Sequence, residues 1–494
     1  MPFPYEPVPA EPGEHFTPRR PKNRTQKQRR IIYIVLAACL LVAVTITLVA
    51  RHRRPTPVLD PDDPAAIAQL HVDALLARQS ATYEQAAARY SLKTGRSPPR
   101  GFDKWFAFAQ AHSCLIDDYD QIDRDFAPFY QLVAEDPLFL LRRVDIVADL
   151  KARETGVIVI KDGEFAHLLP DMSFIINGKD QPRVLFDYRA PNATRERALA
   201  LTEERPFDVL PHPTAEFFHT QGCEVFRSPT GFAESANGDS GFFLSSSPAW
   251  FTLDMYPVLS VTKVSACFAD IVFPSEYYYH RSPTSPKYAY PDNIPWADKK
   301  PVAYWRGTAT GGQIIPPNHH NFTRFRLVSL SHTHPDLLDA RLTRFADLLC
   351  LKEDGCDRES IVREYNIGGS APQENLYRYK YVVDVDGMTY SGRFLGLLGS
   401  GSLVFKATLF TEYFNSWLLP YTHYIPILPD LSDLPEKIEW ARAHDAEARV
   451  IQARGREMVR RVMMDVQNDC YLMRVLLEWA GLQERSRNAN AGVS

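Results

Sequence analysis

The longest apolar run in the chain is Ile31 to Ala50, IIYIVLAACLLVAVTITLVA, which contains no charge. At about 1.5 Å per residue it covers roughly 30 Å, the hydrocarbon thickness of a bilayer, and predicts a transmembrane helix. A buried globular helix would carry a polar stripe, and a cleaved signal has a shorter apolar stretch before a small-residue cleavage site. From about residue 100 the pattern changes to short β-branched runs, Val157–Ile160 and Phe174–Ile176 among them, separated by turn residues and helical segments. It is most regular between 301 and 430. There Val302–Trp305, Tyr381–Val385, Leu403–Phe405 and Tyr424–Ile427 read as strands, and Arg393–Leu398 and Thr411–Leu418 as helices. Strands alternating with helices imply parallel β-α-β units and an α/β fold. Residues 433–482 read as helical throughout.

Charge sets the expected topology. Arg19, Arg20, Lys22, Arg24, Lys27, Arg29 and Arg30 precede the apolar run, against Arg51, Arg53 and Arg54 after it, so the positive-inside bias keeps the N-terminus cytosolic. The expected organisation is a disordered cytosolic tail (1–30), a single-pass type II membrane helix (31–50) and a stem (51–100). Two globular parts (101–300 and 301–482) and a loose polar tail (483–494) complete it. The C-terminal Ala-Gly-Val-Ser is no retrieval signal, which points to retention in the Golgi membrane through the anchor, with the rest of the chain lumenal. A net charge of −4, from 56 basic and 60 acidic residues, gives no field for nucleic acid. Cys39 lies in the apolar run; six cysteines remain for a disulfide-permitting compartment, and Cys350 and Cys356 are near enough in sequence to be a local pair. The sequons at Asn192 and Asn321 are compatible with that side of the membrane.

The candidate chemistry lies at strand ends. Trp305-Arg-Gly-Thr-Ala-Thr-Gly-Gly312 puts small residues and Arg306 after a strand, where backbone amides and a planar cation suit a diphosphate; a simple glycine-rich turn has the same pattern. Ser391-Gly-Arg393 opens the helix after the Tyr381 strand, so that two arginines can meet one ligand. Asp384-Val-Asp386 has the spacing with which sugar-transfer enzymes hold a divalent metal, and also suits a polar strand end before Gly387. Asp180, after a further strand, is placed to accept a proton or simply to form a turn. His319-His320 and His332-Thr-His334 lie in a polar stretch with no complementary cysteine or carboxylate set, and read as solvated.

Taken in order, Pro170-Asp…Asn177…Asp180-Gln-Pro182, Pro257-Val-Leu-Ser-Val-Thr-Lys263, Trp305-Arg-Gly307, Tyr379-Lys-Tyr381, Asp384-Val-Asp-Gly387, Ser391-Gly-Arg-Phe394, Gly401-Ser-Leu-Val-Phe-Lys406 and His423-Tyr-Ile-Pro426 resemble glycosyltransferase family 90. The resemblance covers about residues 165 to 480. It implies a GT-B arrangement, two Rossmann-like domains facing a cleft. It also implies inverting, metal-independent transfer from a UDP-sugar, with xylose or glucose foremost, to an acceptor hydroxyl of a glycan or glycoprotein. Asp180 is then the base; Arg306, Gly307, Thr308, Ser391 and Arg393 hold the donor, Glu412 the ribose hydroxyls, and no metal is needed. One departure stands out: Thr308-Ala-Thr310 replaces the family's serine-arginine-threonine, removing a cation. The alternative is a non-catalytic Golgi sugar-binding or scaffolding protein of the same fold. A glycosidase needs two carboxylates flanking one bond, and the sequence has no recognisable pair.

Overall fold

A computed structural model of the chain describes residues 63–148, 157–161, 172–200, 208–209, 220, 250–265, 267–280, 294–369 and 371–491. The expected cytosolic tail and membrane helix lie outside them. Among the described residues no helix is long and apolar enough to cross a membrane.

Helices open the described chain. In α1 (Pro64–Ala77) the Asp63 side chain accepts from the Ala65 N–H at 3.4 Å and Pro64 fills the first turn; such a start satisfies an amide that the helix cannot. Thr82 caps α2 (Tyr83–Thr94) in the same way, and Gly95, at φ 68°, ends it. α3 (Phe102–Ala111), α4 (Asp120–Glu135) and α5 (Phe139–Ala148) follow. Val72, Tyr90, Phe102 and Trp105 are buried in one core with the far end of the chain. The Trp105 indole donates to the Cys470 carbonyl at 2.9 Å, and Cys114 is disulfide-bonded to Cys470. Residues 64–100 are therefore packed into the globular unit, which spans Pro61–Ser494, and are not the spacing stem expected from their alanine content.

Two sheets follow. β1 (Val157–Lys161) pairs antiparallel with β2 (Ser173–Asn177); after α6 (Pro191–Ala200) and the short pair β3 (Asp208–Val209) and β4 (Trp250–Phe251), β5 (Val258–Ser260) and β6 (Ile271–Val272) add parallel to β2 in the order β1-β2-β5-β6. The second sheet is built from β7 (Lys300–Ala309), α7 (Thr323–Thr333), β8 (Leu338–Phe345), α8 (Arg358–Glu364), β9 (Tyr379–Val385), α9 (Phe394–Gly399), β10 (Leu403–Ala407) and β11 (Ile425–Pro426). All of its pairings are parallel, in the order β11-β10-β9-β7-β8. The five strands thus read 2-1-3-4-5, a doubly wound sheet whose order reverses between β7 and β9. That switch point opens a crevice at the carboxyl ends of the two strands. α10 (Leu434–Ala443), α11 (Asp445–Arg461) and α12 (Asp465–Asn490) close the chain.

Three expectations are corrected. Strand β7 runs to Ala309, so Arg306, Gly307 and Thr308 lie within it and the turn begins at Thr310. Thr411–Leu418 is a series of turns: the Thr411 backbone exchanges hydrogen bonds with Lys263, at 3.1 and 2.7 Å, and is not available to a helix. Residues 483–490, expected to be loose, continue α12, with Gln483 and Ser486 buried. The local pair Cys350–Cys356 is formed.

Candidate active site at the switch point

Three arginines gather at the carboxyl ends of β7 and β9. Arg306 and Arg393 line a cavity of about 240 Å3 between β7, β9 and α9, with Tyr304, Leu376, Val382 and Leu397 making its apolar walls. The Arg306 guanidinium lies 4.3 Å from the Tyr304 ring centroid and is tied to Asp339, donating to its carboxylate at 2.8 Å and to its carbonyl at 2.7 Å. Arg393 caps α9 and donates from Nη1 to the Arg306 carbonyl at 2.8 Å; among the described residues its buried Nη2 has no hydrogen-bond partner. Arg324, in the first turn of α7, donates to the carbonyls of Thr308 (2.9 Å) and Asp386 (3.0 Å). Burial, and then the nearby positive charge of Arg393, pull the Arg324 guanidinium down to about 9. Trp305 Nε1 and Thr310 Oγ1 are likewise buried without hydrogen-bond partners among the described residues. Since buried polar groups are ordinarily paired, this concentration suits a polar, anionic ligand.

Gly307 serves the site through packing: a Cβ there would meet the Trp305 ring at 2.5 Å, too close for any side chain. Behind the arginines lies a buried ionic network. Asp384, fully buried, accepts from the Ser391 hydroxyl at 2.5 Å and from Lys406 Nζ at 3.1 Å. Lys406 also stands 3.8 Å from Glu412 and 3.9 Å from the Phe394 ring centroid. Glu412, expected at the ribose hydroxyls, is 0% exposed and accepts from the Tyr278 hydroxyl, so it faces the network and does not line the cavity. Ser391, also expected on the donor, spends its hydroxyl on Asp384.

The first sheet is reached through the turn after β6. Tyr278 donates to the Ser391 carbonyl at 3.2 Å, and Tyr390 donates to Ser275 Oγ at 2.5 Å, joining the ends of the two sheets. Asp180 lies here, beside Glu276, Tyr277 and Tyr390, on a turn held by Asn177, which accepts from Lys179 N–H and Arg183 Nε and donates to the Gln181 carbonyl and Ser260 Oγ. Solvent reaches Asp180, and among the described residues its carboxylate has no hydrogen-bond or ion-pair partner. Partial enclosure by protein and then the Glu276 charge push the carboxyl above the usual aspartate range, against the pull of Lys179.

The glycosyl transferase family 90 model matches residues 287–493. Residues 287–493 are thus similar to glycosyltransferase family 90. Curated relatives include protein O-glucosyltransferase 2 of Danio rerio, 33% identical over 189 residues, covering 38% of this chain and 34% of that protein. Human protein O-glucosyltransferase 3 is 31% identical over 199 residues, 40% of this chain and 35% of that protein. Human protein O-glucosyltransferase 1 is 27% identical over 255 residues, 47% and 59%. The chain thus spans about a third of the length of the first two relatives and somewhat over half of the third.

All three arginines and the ionic network fall inside the matched residues, whereas Asp180 lies ahead of them. Within that region Arg324 was missed from sequence because it is separated from the glycine-rich turn by more than ten residues; its signal was an arginine in the first turn of the helix that follows the turn. The buried carboxylates carry a pH prediction. Burial raises Glu412 to about 8 and Asp386 to about 7, with Lys406 opposing in both cases. The folded state therefore holds protons on them that the unfolded chain releases above its ordinary carboxylate range, so their contribution to stability is complete at low pH and declines as pH rises through about 4.5 to 8. Glu412→Gln should flatten that decline, and melting temperature measured from pH 5 to 8 for parent and variant tests it. Parallel curves would refute the protonated Glu412.

Proposed function

We propose that this chain is an inverting, metal-independent glycosyltransferase that moves a sugar from a UDP-sugar to a hydroxyl of a glycan or glycoprotein, anchored by residues 31–50 in the Golgi membrane with its catalytic part in the lumen. The observation that carries this is the meeting of Arg306, Arg324 and Arg393 with unpartnered buried donors at the switch point between β7 and β9. With Glu412 and Asp386 holding protons near neutral pH, these arginines and Lys406 face Asp339 and Asp384 as their principal counter-charges, which leaves an excess of positive charge for a diphosphate. The apolar cavity beside Arg306 and Arg393 suits the nucleoside. The names of the three relatives given above, protein O-glucosyltransferases 1, 2 and 3, favour glucose over xylose and a protein-borne acceptor.

In this reading the two Rossmann-like halves of a GT-B enzyme are the β1-β2-β5-β6 sheet, carrying Asp180, and the five-stranded sheet, carrying the arginines. Asp180 takes the proton of the acceptor hydroxyl as its oxygen attacks the anomeric carbon from the face opposite UDP. The bond from that carbon to the diphosphate breaks, and the arginines receive the charge that leaves with UDP. Tyr278, Glu412, Lys406, Asp384 and Ser391 hold the two sides in register. A metal-free site is consistent with Asp384, whose two carboxylate oxygens are taken by Ser391 and Lys406.

The test is thermal melting of the full chain in detergent with UDP. A UDP-induced rise that persists in EDTA is expected. A rise that vanishes with EDTA and returns with manganese would show that donor binding needs a metal and that this reading is wrong.

A further inference from the structure

Away from the arginine cluster, on the turn between β7 and α7, His319 and His320 stand side by side with ring centroids 4.0 Å apart. Glu364, the last residue of α8, closes over them: its carboxylate lies 3.9 Å from His319 Nε2 and 3.6 Å from His320 Nδ1. Three ligand atoms, one from each residue, fit within 4.8 Å of one another. His319 is 5% exposed, and among the described residues neither of its ring nitrogens has a hydrogen-bond partner. A buried imidazole with both nitrogens unmatched is costly unless a ligand meets one of them.

We propose that His319, His320 and Glu364 form a binding site for a borderline divalent metal ion, zinc foremost, distinct from the arginine site and independent of the sugar-transfer reading. Two imidazoles and one carboxylate are the donor set that zinc takes with a fourth position left for water. Metal–ligand bonds of about 2.0–2.2 Å in a tetrahedron place ligand atoms about 3.4 Å apart; the carboxylate–histidine spacings of 3.9 and 3.6 Å are within about half an ångström of that, and the widest pair, within 4.8 Å, needs to close by at most about 1.4 Å. The turn is already rigid: Asn318 accepts from the Ile315 N–H and donates to the Gln313 carbonyl, both at 3.0 Å. On binding, His320 Nδ1 exchanges the Tyr365 hydroxyl, now at 2.8 Å, for the metal, and that hydroxyl is placed to bond a water at the open position. The metal would tie the turn that leads into α7, and hence to Arg324, to the end of α8.

The full chain in detergent, stripped with chelator and dialysed, is titrated with zinc chloride and, separately, cobalt chloride. One high-affinity zinc per chain is expected, with a higher melting temperature and the visible absorption of four-coordinate cobalt. His320→Gln and Glu364→Gln alter exposed side chains; each should weaken zinc by about tenfold or more, with the metal-free melting temperature and the UDP-induced shift unchanged. His332→Gln, at an exposed histidine outside the cluster, should bind zinc like the parent. No zinc retained at micromolar free metal, or equal zinc affinity in parent, His320→Gln and Glu364→Gln, overturns the proposal.

Discussion

Replacing Asp180 with asparagine is expected to lower sugar transfer by about 10²-fold or more while melting temperature and UDP affinity stay near the parent's. Asparagine keeps the size of the side chain and removes its ability to take a proton. The turn does not depend on the Asp180 carboxylate: Asn177, Arg183, Ser260 and Asp270 hold it together through hydrogen bonds to one another and to the surrounding backbone. Destabilisation is therefore a poor explanation for any loss of rate. The raised pKa adds a second signature. Transfer needs the ionised carboxylate, so its acidic limb should lie above the ordinary aspartate range in the parent and disappear in the variant. A variant that melts earlier yet transfers sugar at the parental rate would remove Asp180 from the mechanism. Asp171, in the same sequence segment but outside the described residues, would then be the next carboxylate to test.

The second sheet was the more legible half because its strands announce themselves. Tyr381–Val383 and Leu403–Phe405 are continuous apolar runs, as expected of strands buried on both faces. β8 was not seen: Leu338-Asp-Ala-Arg-Leu-Thr-Arg-Phe345 sits at the sheet edge and alternates buried apolar with exposed polar positions, which resembles a polar loop when read without its neighbours. The Thr411–Leu418 segment misled in the opposite direction, since Phe410, Tyr413, Phe414 and Trp417 have helical spacing but are buried by turns clamped to Lys263. The helices at 64–94 failed on composition. Alanine-rich sequence after a proline-rich stretch looks like a spacer, yet their buried face is completed by α11 and α12, which lie more than 350 residues further on.

At the site, local motifs located Arg306 and Arg393 but gave no view of how their donors were already committed. The same limit applied to charge balance. Sequence identified a missing cation at Ala309, between Thr308 and Thr310, while the fold brings the Arg324 guanidinium to the Thr308 carbonyl from the following helix. Likewise the carboxylate that His319 and His320 lacked in their own stretch is supplied by Glu364 from another element. Pairings of this kind depend on tertiary placement, and neither periodicity nor spacing encodes them.

Those commitments rank the arginines. Arg393→Ala is expected to weaken UDP binding by roughly tenfold to a hundredfold, the scale of one charge-assisted hydrogen bond worth about 1.5–3 kcal/mol. Its Nη2 is buried with no hydrogen-bond partner among the described residues, so a diphosphate oxygen can accept from it without displacing a contact to any of them. Arg306→Ala should cost less affinity and more stability, because that guanidinium already serves the Asp339 carboxylate and carbonyl and the Trp305 carbonyl. Removing it leaves Asp339 with Tyr379, which donates to Oδ2 at 2.9 Å, and with the more distant Arg341. Calorimetric titration of UDP into the folded variants, with their melting temperatures, separates the two effects. If Arg393→Ala binds UDP like the parent while Arg306→Ala alone loses affinity, the donor lies on the Arg306 side of the cavity and the role assigned to Arg393 falls. If both bind normally, the diphosphate is held elsewhere.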